Sequence, residues 1–239
     1  MSSTLPEEFT FLPISFPGDA LPILHLHYQI YMSDPLHSQS HNVSEDEFIS
    51  AGLSVLIKRF NKPNNLAAKI VLSSDPSKII SYVVWNPPNV DSWSEVQREK
   101  ELRADIERGP SGGDTEKIYN MKMEDRVLNE RYLGKGYEGR WWTLEVLMTD
   151  EKFQRRGLGS RLVKWGLEKV EQDVRDRNEK GEGEKIEGAY LIASPAGART
   201  YEKAGFVRVG ERTVEVGPEG KKEGYTHAWF VKRFEHEKI

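Results

Sequence analysis

The feature that most constrains the fold is a run of large apolar residues that leads, through a short charged turn, into a long amphipathic segment. Residues 141 to 149 follow Gly139, and almost all of them are large and apolar. A short run of this kind predicts a strand that is buried on both sides. Apolar residues then recur at helical spacing up to about residue 177: Leu158, Leu162, Val163, Leu167, Val170 and Val174. The pattern predicts a strand that turns directly into a helix.

The junction between this strand and this helix reads Gln154-Arg155-Arg156-Gly157-Leu158-Gly159. The first amides of a helix have no partner within it, and the helix dipole adds partial positive charge at the same end. Two glycines leave the backbone open to close approach by a diphosphate, and the arginines add charge beside it. The alternative is a tight turn with two solvated arginines, and both interpretations stay open on these six residues alone. The segment lacks the Gly-Lys-Ser/Thr ending of a nucleotide-binding P-loop. It also lacks the third glycine of the dinucleotide-binding motif Gly-x-Gly-x-x-Gly.

The remaining patterns predict a mixed α/β sheet within a single domain that spans residues 1 to 239. Two β-branched runs, 66 to 73 and 78 to 85, flank a Ser-Asp-Pro-Ser turn and predict an antiparallel hairpin. Further strands are predicted at 9 to 15, 188 to 193, 206 to 216 and 225 to 234, and further helices at 19 to 37, from 44 onward, and at 195 to 204. The charged, helical stretch at about 91 to 139 is predicted to be an insertion.

Several helix ends have candidate caps. Asp19 and Ser194 each precede a predicted helix and are residue types that accept hydrogen bonds from its first amides. Ser44 and Glu47 have the spacing of a capping box, in which each side chain bonds the backbone amide of the other residue. Gly205 is expected to be left-handed at the end of the short helix before it.

Composition excludes several classes of function. The net charge of -4 argues against the broad positive field that non-specific nucleic-acid binding requires. The chain has no cysteine, so it has no disulfide and no thiolate metal site. The six histidines show no metal-ligand spacing, so no metal is expected. The sequence begins without a secretory signal pattern and lacks a membrane-length apolar run, so a cytoplasmic protein without membrane contact is expected, with the nucleus not excluded.

Two segments carry a resemblance to a known family. The strand 144 to 149 with the junction 153 to 159 resembles the central strand and the Gln/Arg-x-x-Gly-x-Gly/Ala loop of the GNAT superfamily of acyl-CoA-dependent N-acyltransferases. Residues 198 to 206 are similar to the Tyr-x-x-x-Gly-Phe segment of the same family. The resemblance is specific over residues 141 to 206 and does not extend to residues 91 to 139. It implies a central, mostly antiparallel mixed sheet with helices on both faces.

The resemblance also implies acetyl-CoA as the acyl donor and a binding site on the backbone. The amides around Arg155, Arg156, Gly157, Gly159 and Ser160, within the loop that also contains Gln154 and Leu158, would hold the pyrophosphate of CoA. The exposed end of the central strand, at Met148 and Thr149, would pair with the pantetheine arm. The partner implied is a small-molecule or peptide amine, and a homodimer stays open.

The expected chemistry needs a group that takes a proton from the amine and one that protonates the thiolate. Tyr201 is the candidate acid, because the family has a tyrosine near the CoA sulfur at this position; the alternative is an aromatic core residue. Glu145 is the candidate base, because it interrupts an apolar strand. Glu145 would act through a water molecule after burial has raised its pKa, or it would simply pair with an arginine. Asp150, at the end of the strand, is a weaker candidate for the base. A protein that only binds acyl-CoA, or an interaction protein, is the rival interpretation.

Overall fold

The structure is a computed structural model that describes residues 6–40, 43–60, 64–88, 95–107, 115–181, 185–217 and 221–234. The strands are β1 (Phe9–Pro13), β2 (Leu66–Leu72), β3 (Asp75–Asn86), β4 (Trp141–Thr149), β5 (Gly188–Ala193), β6 (Val207–Val216) and β7 (Glu223–Arg233). The α-helices are α1 (Ala20–Ser33), α2 (Pro35–Ser40), α3 (Glu45–Phe60), α4 (Glu95–Glu107), α5 (Thr115–Leu133), α6 (Leu158–Lys180) and α7 (Ala198–Lys203).

The seven strands of the described residues form one sheet in the order β1-β2-β3-β4-β5-β7-β6. Every neighbouring pair is antiparallel except β4 and β5, which are parallel. The predicted fold class, a mostly antiparallel mixed sheet with helices on both faces, is confirmed. The bounds predicted for β4 and β5 coincide with those observed.

The sheet has a separate apolar core on each face. On one face α6 and α7 cover the sheet, and the α6 residues predicted from helical spacing, among them Leu162, Val163 and Val170, are fully buried. On the other face α1 and α3 pack against β2, β3 and β4 through residues such as Ile23, Leu24 and Leu56. The alternation of side chains along the central strands therefore supplies both cores.

The predicted helical insertion contains α4 and α5 in its described part. Leu133 and Tyr132 of α5 pack with Trp141, Tyr190 and Val231 on the α1 side of the sheet. The buried Asn129 accepts a hydrogen bond from Trp229 Nε1 at 2.7 Å and donates one to the Tyr137 hydroxyl at 3.1 Å. The insertion is therefore an integral part of the second face and covers β5 and β7.

Helix ends followed the sequence in some places and not in others. Ser44 and Glu47 form the predicted capping box, with Ser44 N donating to Glu47 Oε2 at 3.0 Å and Glu47 N donating to Ser44 Oγ at 3.4 Å. Asp19 was predicted to cap α1, which is wrong, because its carboxylate accepts instead from Lys69 Nζ at 2.5 Å and Ser15 N at 2.6 Å. Lys69, on β2, is buried and needs an opposite charge, so the Asp19 carboxylate pairs with it instead of capping the helix.

Two other predicted helices are shorter or divided. The helix predicted to run from 19 to 37 is interrupted at Asp34, whose extended backbone ends α1 and whose carboxylate receives the first amides of α2. The short helix after β5 begins at Ala198 and is preceded by Gly197, so the predicted cap at Ser194 is wrong. Gly205 is left-handed, with φ of 85°, as predicted.

Candidate functional site

The central strand β4 has a neighbouring strand on both sides only at Thr143, which pairs with β3 and with β5. Trp141, Trp142 and Thr143 pair with residues 188 to 190 of β5, and no later residue of β4 does. Beyond Tyr190, β5 continues alongside β7 alone, while β4 continues alongside β3. The two parallel strands therefore separate after Thr143 and leave an opening toward their carboxyl ends.

The register of β3 determines which groups of β4 face this opening. Asp150 N donates to Ile80 O at 2.8 Å, so residues 150, 148 and 146 direct their backbone groups toward β3. The intervening residues, Leu147 and Thr149, direct theirs toward the opening. Ser81 Oγ additionally bonds the carbonyl of Met148 at 2.8 Å. Met148 and Thr149 were predicted to pair with the pantetheine arm. The backbone groups of Thr149 face the opening, but those of Met148 face β3. The backbone groups of Leu147 also face the opening, which the sequence did not predict.

The turn between β4 and α6 has an unusual backbone. Arg155 has φ of 61° and Gly157 has φ of 79°, and a Cβ atom placed on Gly157 would meet nothing within 4 Å. In the described part of the chain, the first amide of α6 to donate a backbone bond is that of Arg161, to Gly157 O at 3.1 Å, and none of the amides of residues 155 to 160 does so. The helix N-terminus therefore presents unpaired backbone donors, an arrangement that can bind an anion.

Gly159 lies where this helix crosses the open part of β4. A Cβ atom placed there would lie 3.5 Å from Leu147 Cδ2 and 3.6 Å from Thr149 Oγ1. Leu158 is buried in the core beneath, and Ser160 follows in the first turn with an exposed side chain. The small residue therefore keeps the helix N-terminus close to the open edge of the strand.

The polar side chains of the turn have structural partners. Gln154 Nε2 donates to the carbonyl of Thr149 at 3.2 Å, which closes the turn. Arg156 forms an ion pair of 3.0 Å with Glu8 and lies over the rings of Phe9 and Phe153. The sequence predicted two charges beside an anion, but the charge of Arg156 is shared with Glu8. Arg155 is exposed, and none of the described residues forms an ion pair with it.

Glu145 lies at an irregularity that the sequence did not predict. Val84 pairs with Val146 while Trp85 pairs with Leu144, so Glu145 is the extra residue of a β-bulge in β4. As a result Leu144 belongs to the α6 core and Val146 to the α1 core. Glu145 is exposed rather than buried as expected, and Asn86 Nδ2 donates to its carboxylate. The only feature of the sequence that could have indicated the bulge is the single carboxylate, Glu145, within an otherwise apolar strand.

Tyr201 is positioned by α7 on the α6 side of the sheet. Its side chain is 6% exposed and packs against the rings of Phe206 and Phe230. Burial raises the pKa of this phenol above its ordinary value, so it stays protonated. Both roles considered for Tyr201, acid and core residue, are compatible with this position.

Other places in the molecule fit the expected chemistry less well. Among the described residues no group of three or more histidine or acidic side chains could hold a metal ion. No helix in the same residues is long and apolar enough to cross a membrane. A cavity of about 760 Å³ lies beside Arg140, the residue before β4. Glu187, which also lines it, pairs with Arg140 at 2.6 Å and with Arg233 at 2.8 Å. The opening is the better candidate site, because within the described ranges it brings an unpaired edge of β4 next to the unpaired first amides of α6.

Comparison with solved structures places this architecture among acetyltransferases. An acetyltransferase of the GNAT family from Streptococcus pneumoniae superimposes with a TM-score of 0.53 at 14% identity, over 95% of this chain and 100% of that one. A polyamine N-acetyltransferase of Drosophila melanogaster gives 0.56 at 14% identity over the same shares. The NatC complex bound to Gag peptide and CoA gives 0.53 at 12% identity, over 95% of this chain and 99% of that chain.

These similarities establish that the chain has the GNAT fold, which confirms the fold implied by the two sequence segments. No model of a known protein family matches the sequence. A search of proteins with curated descriptions likewise found no similar sequence. The fold is therefore recognised through the geometry of the sheet and its opening, at an identity too low to transfer an activity.

Proposed function

We propose that this protein transfers an acetyl group from acetyl-CoA to a primary amine. The observation that carries the proposal is the opening between β4 and β5, beside which the first amides of α6 are unpaired. An extended amide-containing arm can bond the edge of β4 as an added strand while its diphosphate binds the helix N-terminus. Acetyl-CoA has both parts. The solved NatC complex of the same fold contains CoA, which supports this choice of donor.

The acceptor is a small-molecule or peptide amine. Structures of the same fold include an enzyme that forms N-acetylagmatine and a complex bound to a peptide. In the proposed reaction the free amine attacks the thioester carbonyl, the carbon–sulfur bond breaks, and the nitrogen loses one proton. Glu145 takes that proton through water, since its carboxylate is exposed on the bulge next to the opening. Tyr201 supplies a proton to the departing thiolate.

A second candidate function is acyl-CoA binding without transfer. Two observations favour it: the Glu145 carboxylate already accepts from Asn86, and the ring of Tyr201 is enclosed by the core. Both functions use the same opening, so binding alone does not separate them. Thiol release from acetyl-CoA in the presence of a panel of amines does, because only transfer consumes the thioester. Release that no amine accelerates, together with tight acetyl-CoA binding, would favour the second function.

The role of Tyr201 is tested by Tyr201→Phe, which keeps the ring in the core. Loss of a general acid is expected to reduce turnover about 100-fold, the lower part of the range for such groups. Affinity for acetyl-CoA, measured by calorimetry, should change by less than about twofold, because the phenol contributes no binding energy in this proposal. Turnover equal to that of the wild type would make Tyr201 a core residue only.

A further inference from the structure

A carboxylate at the corner between α1 and α2 is held entirely by neutral donors. Tyr225 of β7 donates its hydroxyl to Asp34 Oδ2 at 2.5 Å. The amides of Leu36 and His37 donate to Oδ1 at 2.9 and 3.2 Å. These three bonds orient the carboxylate but leave its negative charge in place.

Asp34 differs in this respect from two other acidic residues of the same face. Asp19 pairs with Lys69 at 2.5 Å, and Asp125 pairs with Arg212 at 2.7 Å. In the described part of the chain no lysine, arginine or histidine forms an ion pair with Asp34. A partly buried charge without a counter-charge is costly to retain. Asp34 therefore has the character of a group that binds a cation from outside the chain.

Asp34 lies at the end of the sheet where β4 and β5 separate. Ala193, the last residue of β5, pairs with Ala228, so Tyr225 extends past the end of β5. The Tyr225 phenol therefore lies beyond the carboxyl end of β5, with its hydroxyl bonded to the Asp34 carboxylate. The pair is on the α1 face, opposite α6.

The surroundings of Asp34 favour a positively charged, partly apolar ligand. The rings of Tyr31 and His37, on either side of Asp34 in the chain, lie 4.0 Å apart. Aromatic faces attract cations. The ring of Tyr225 packs in one cluster with Leu36, and Leu36 also lines a cavity of about 500 Å³ between α2, α5 and β6. Its other lining residues are Glu116, Lys117, Asn120, Met121, Glu124, Val214 and Glu215.

The carboxylates of this cavity are less available than Asp34. Glu124 lies 3.2 Å from Arg212, Glu215 lies 3.1 Å from Lys222, and Glu116 lies 3.8 Å from Arg103. They contribute a weak negative field rather than a specific partner. The cavity supplies space and an apolar floor at Leu36, two residues from Asp34, and Asp34 supplies a charge without an ion-pair partner in the described part of the chain.

We propose that Asp34 binds a second positive charge of the acceptor, so that the acceptor is a diamine or another amine with a cationic group remote from the reacting nitrogen. The inference rests on the proposed acetyl transfer. A reacting nitrogen must be neutral when it attacks, so it cannot compensate Asp34 at that moment. A second cationic group keeps its charge throughout the reaction and can. Asp34 is then the residue that determines which amines are acetylated.

The experiment compares 1,4-diaminobutane with butylamine, which has the same chain and one charge fewer. In the wild type, kcat/KM for the diamine should exceed that for butylamine by about 10- to 100-fold, the range expected for a hydrogen bond to a charged group. Asp34→Asn should remove this preference and change kcat/KM for butylamine by less than about threefold. Asparagine is also a good helix cap, so the α2 end should be kept, and thermal unfolding verifies this. Glu168→Gln, on the exposed side of α6, is the matched control and should alter neither substrate.

Two further measurements make the outcomes distinct. Calorimetric titration of the diamine into the wild-type protein with CoA should show binding that Asp34→Asn loses, and this readout does not require turnover. About 1 M salt, which shortens the screening length to about 3 Å, should reduce the preference of the wild type. Equal loss for both amines in Asp34→Asn, or no diamine preference in the wild type, would overturn the inference. Absence of acetyl-CoA binding to the wild type would instead contradict the proposed function.

Discussion

The two parts of the central strand β4, residues 141 to 143 and 144 to 149, pair with different neighbouring strands. At its beginning, Trp141 and Trp142 are 1% exposed and pair with β5, and Thr143 pairs with both β5 and β3. Gly188, the β5 partner of Trp141, lies so close to β7 on its other side that a Cβ atom would be 2.1 Å from Lys232 O. At its end, residues 144 to 149 keep one neighbour and expose the other edge.

In the proposed function the two parts serve stability and binding respectively. Where β5 lies alongside β4, its backbone groups occupy the edge that a ligand would need. Loss of one neighbour leaves the backbone groups of Leu147 and Thr149 without a strand partner, next to the unpaired amides that begin α6. The bulge at Glu145 lies near the beginning of the second part, where the side chains of the strand change faces.

The strongest test of the open part is Gly157→Leu. The side chain would extend into the space beside the helix amides, which is free of protein atoms within 4 Å. We expect acetyl-CoA affinity to fall by about 3–6 kcal/mol, the loss of two or so hydrogen bonds to a charged group. The left-handed backbone adds about 1–2 kcal/mol of destabilisation.

The matched control for this variant is Gly181→Leu at the other end of α6. Gly181 is also left-handed, with φ of 65°, and also has nothing within 4 Å. It should show the same loss of stability and unchanged affinity. If calorimetry gives equal acetyl-CoA affinities for both variants, the turn before α6 is not the binding site.

The first part of β4, which pairs with β5, is tested by Trp142→Ala. Removal of this enclosed side chain should lower the free energy of unfolding by about 3–5 kcal/mol, as large-to-small substitutions in cores do. Thr149→Ala, at the open end, should lower it by less than about 1 kcal/mol, because Thr149 is only partly buried. Urea unfolding measures both. Similar values for the two variants would show that the two parts of β4 do not differ in their contribution to stability.

The smallest expected effect concerns pH. Burial, together with the charge of Arg212, lowers the pKa of His227 to about 4 from 6.5. Between these two values the unfolded chain binds a proton that the folded protein does not. The free energy of unfolding should therefore decrease as the pH falls from about 6.5 to 4, by up to about 3 kcal/mol from this residue.

His227→Gln should flatten this part of the pH profile of the unfolding free energy. His25→Gln is the control, because the side chain of His25 is 52% exposed and lies on α1, where it pairs with Glu45. Its profile should follow that of the wild type. A wild-type slope in the His227 variant would show that other groups cause the acid sensitivity at the open end of the sheet.

The sequence alone determined the elements that depend on local patterns. The bounds of β4 and β5, the hairpin of β2 and β3 and the capping box at Ser44 follow from short-range spacing, and they agree with the structure. The turn with Gly157 and Gly159 was also predicted from local sequence, because backbone approach to a phosphate requires small residues at fixed positions, and its phosphate binding stays a prediction. These features need no knowledge of what packs against them.

Only the tertiary structure decided how those elements combine. The separation of β4 from β5 after Thr143, the bulge at Glu145 and the meeting of Asp34 with Tyr225 across 191 positions of chain each depend on contacts between distant segments. The same is true of Asp19 and Arg156. Asp19 pairs with Lys69 instead of capping α1, and Arg156 pairs with Glu8 instead of extending freely from the turn. A charged side chain binds the opposite charge that the fold brings near it, and local sequence does not contain that information.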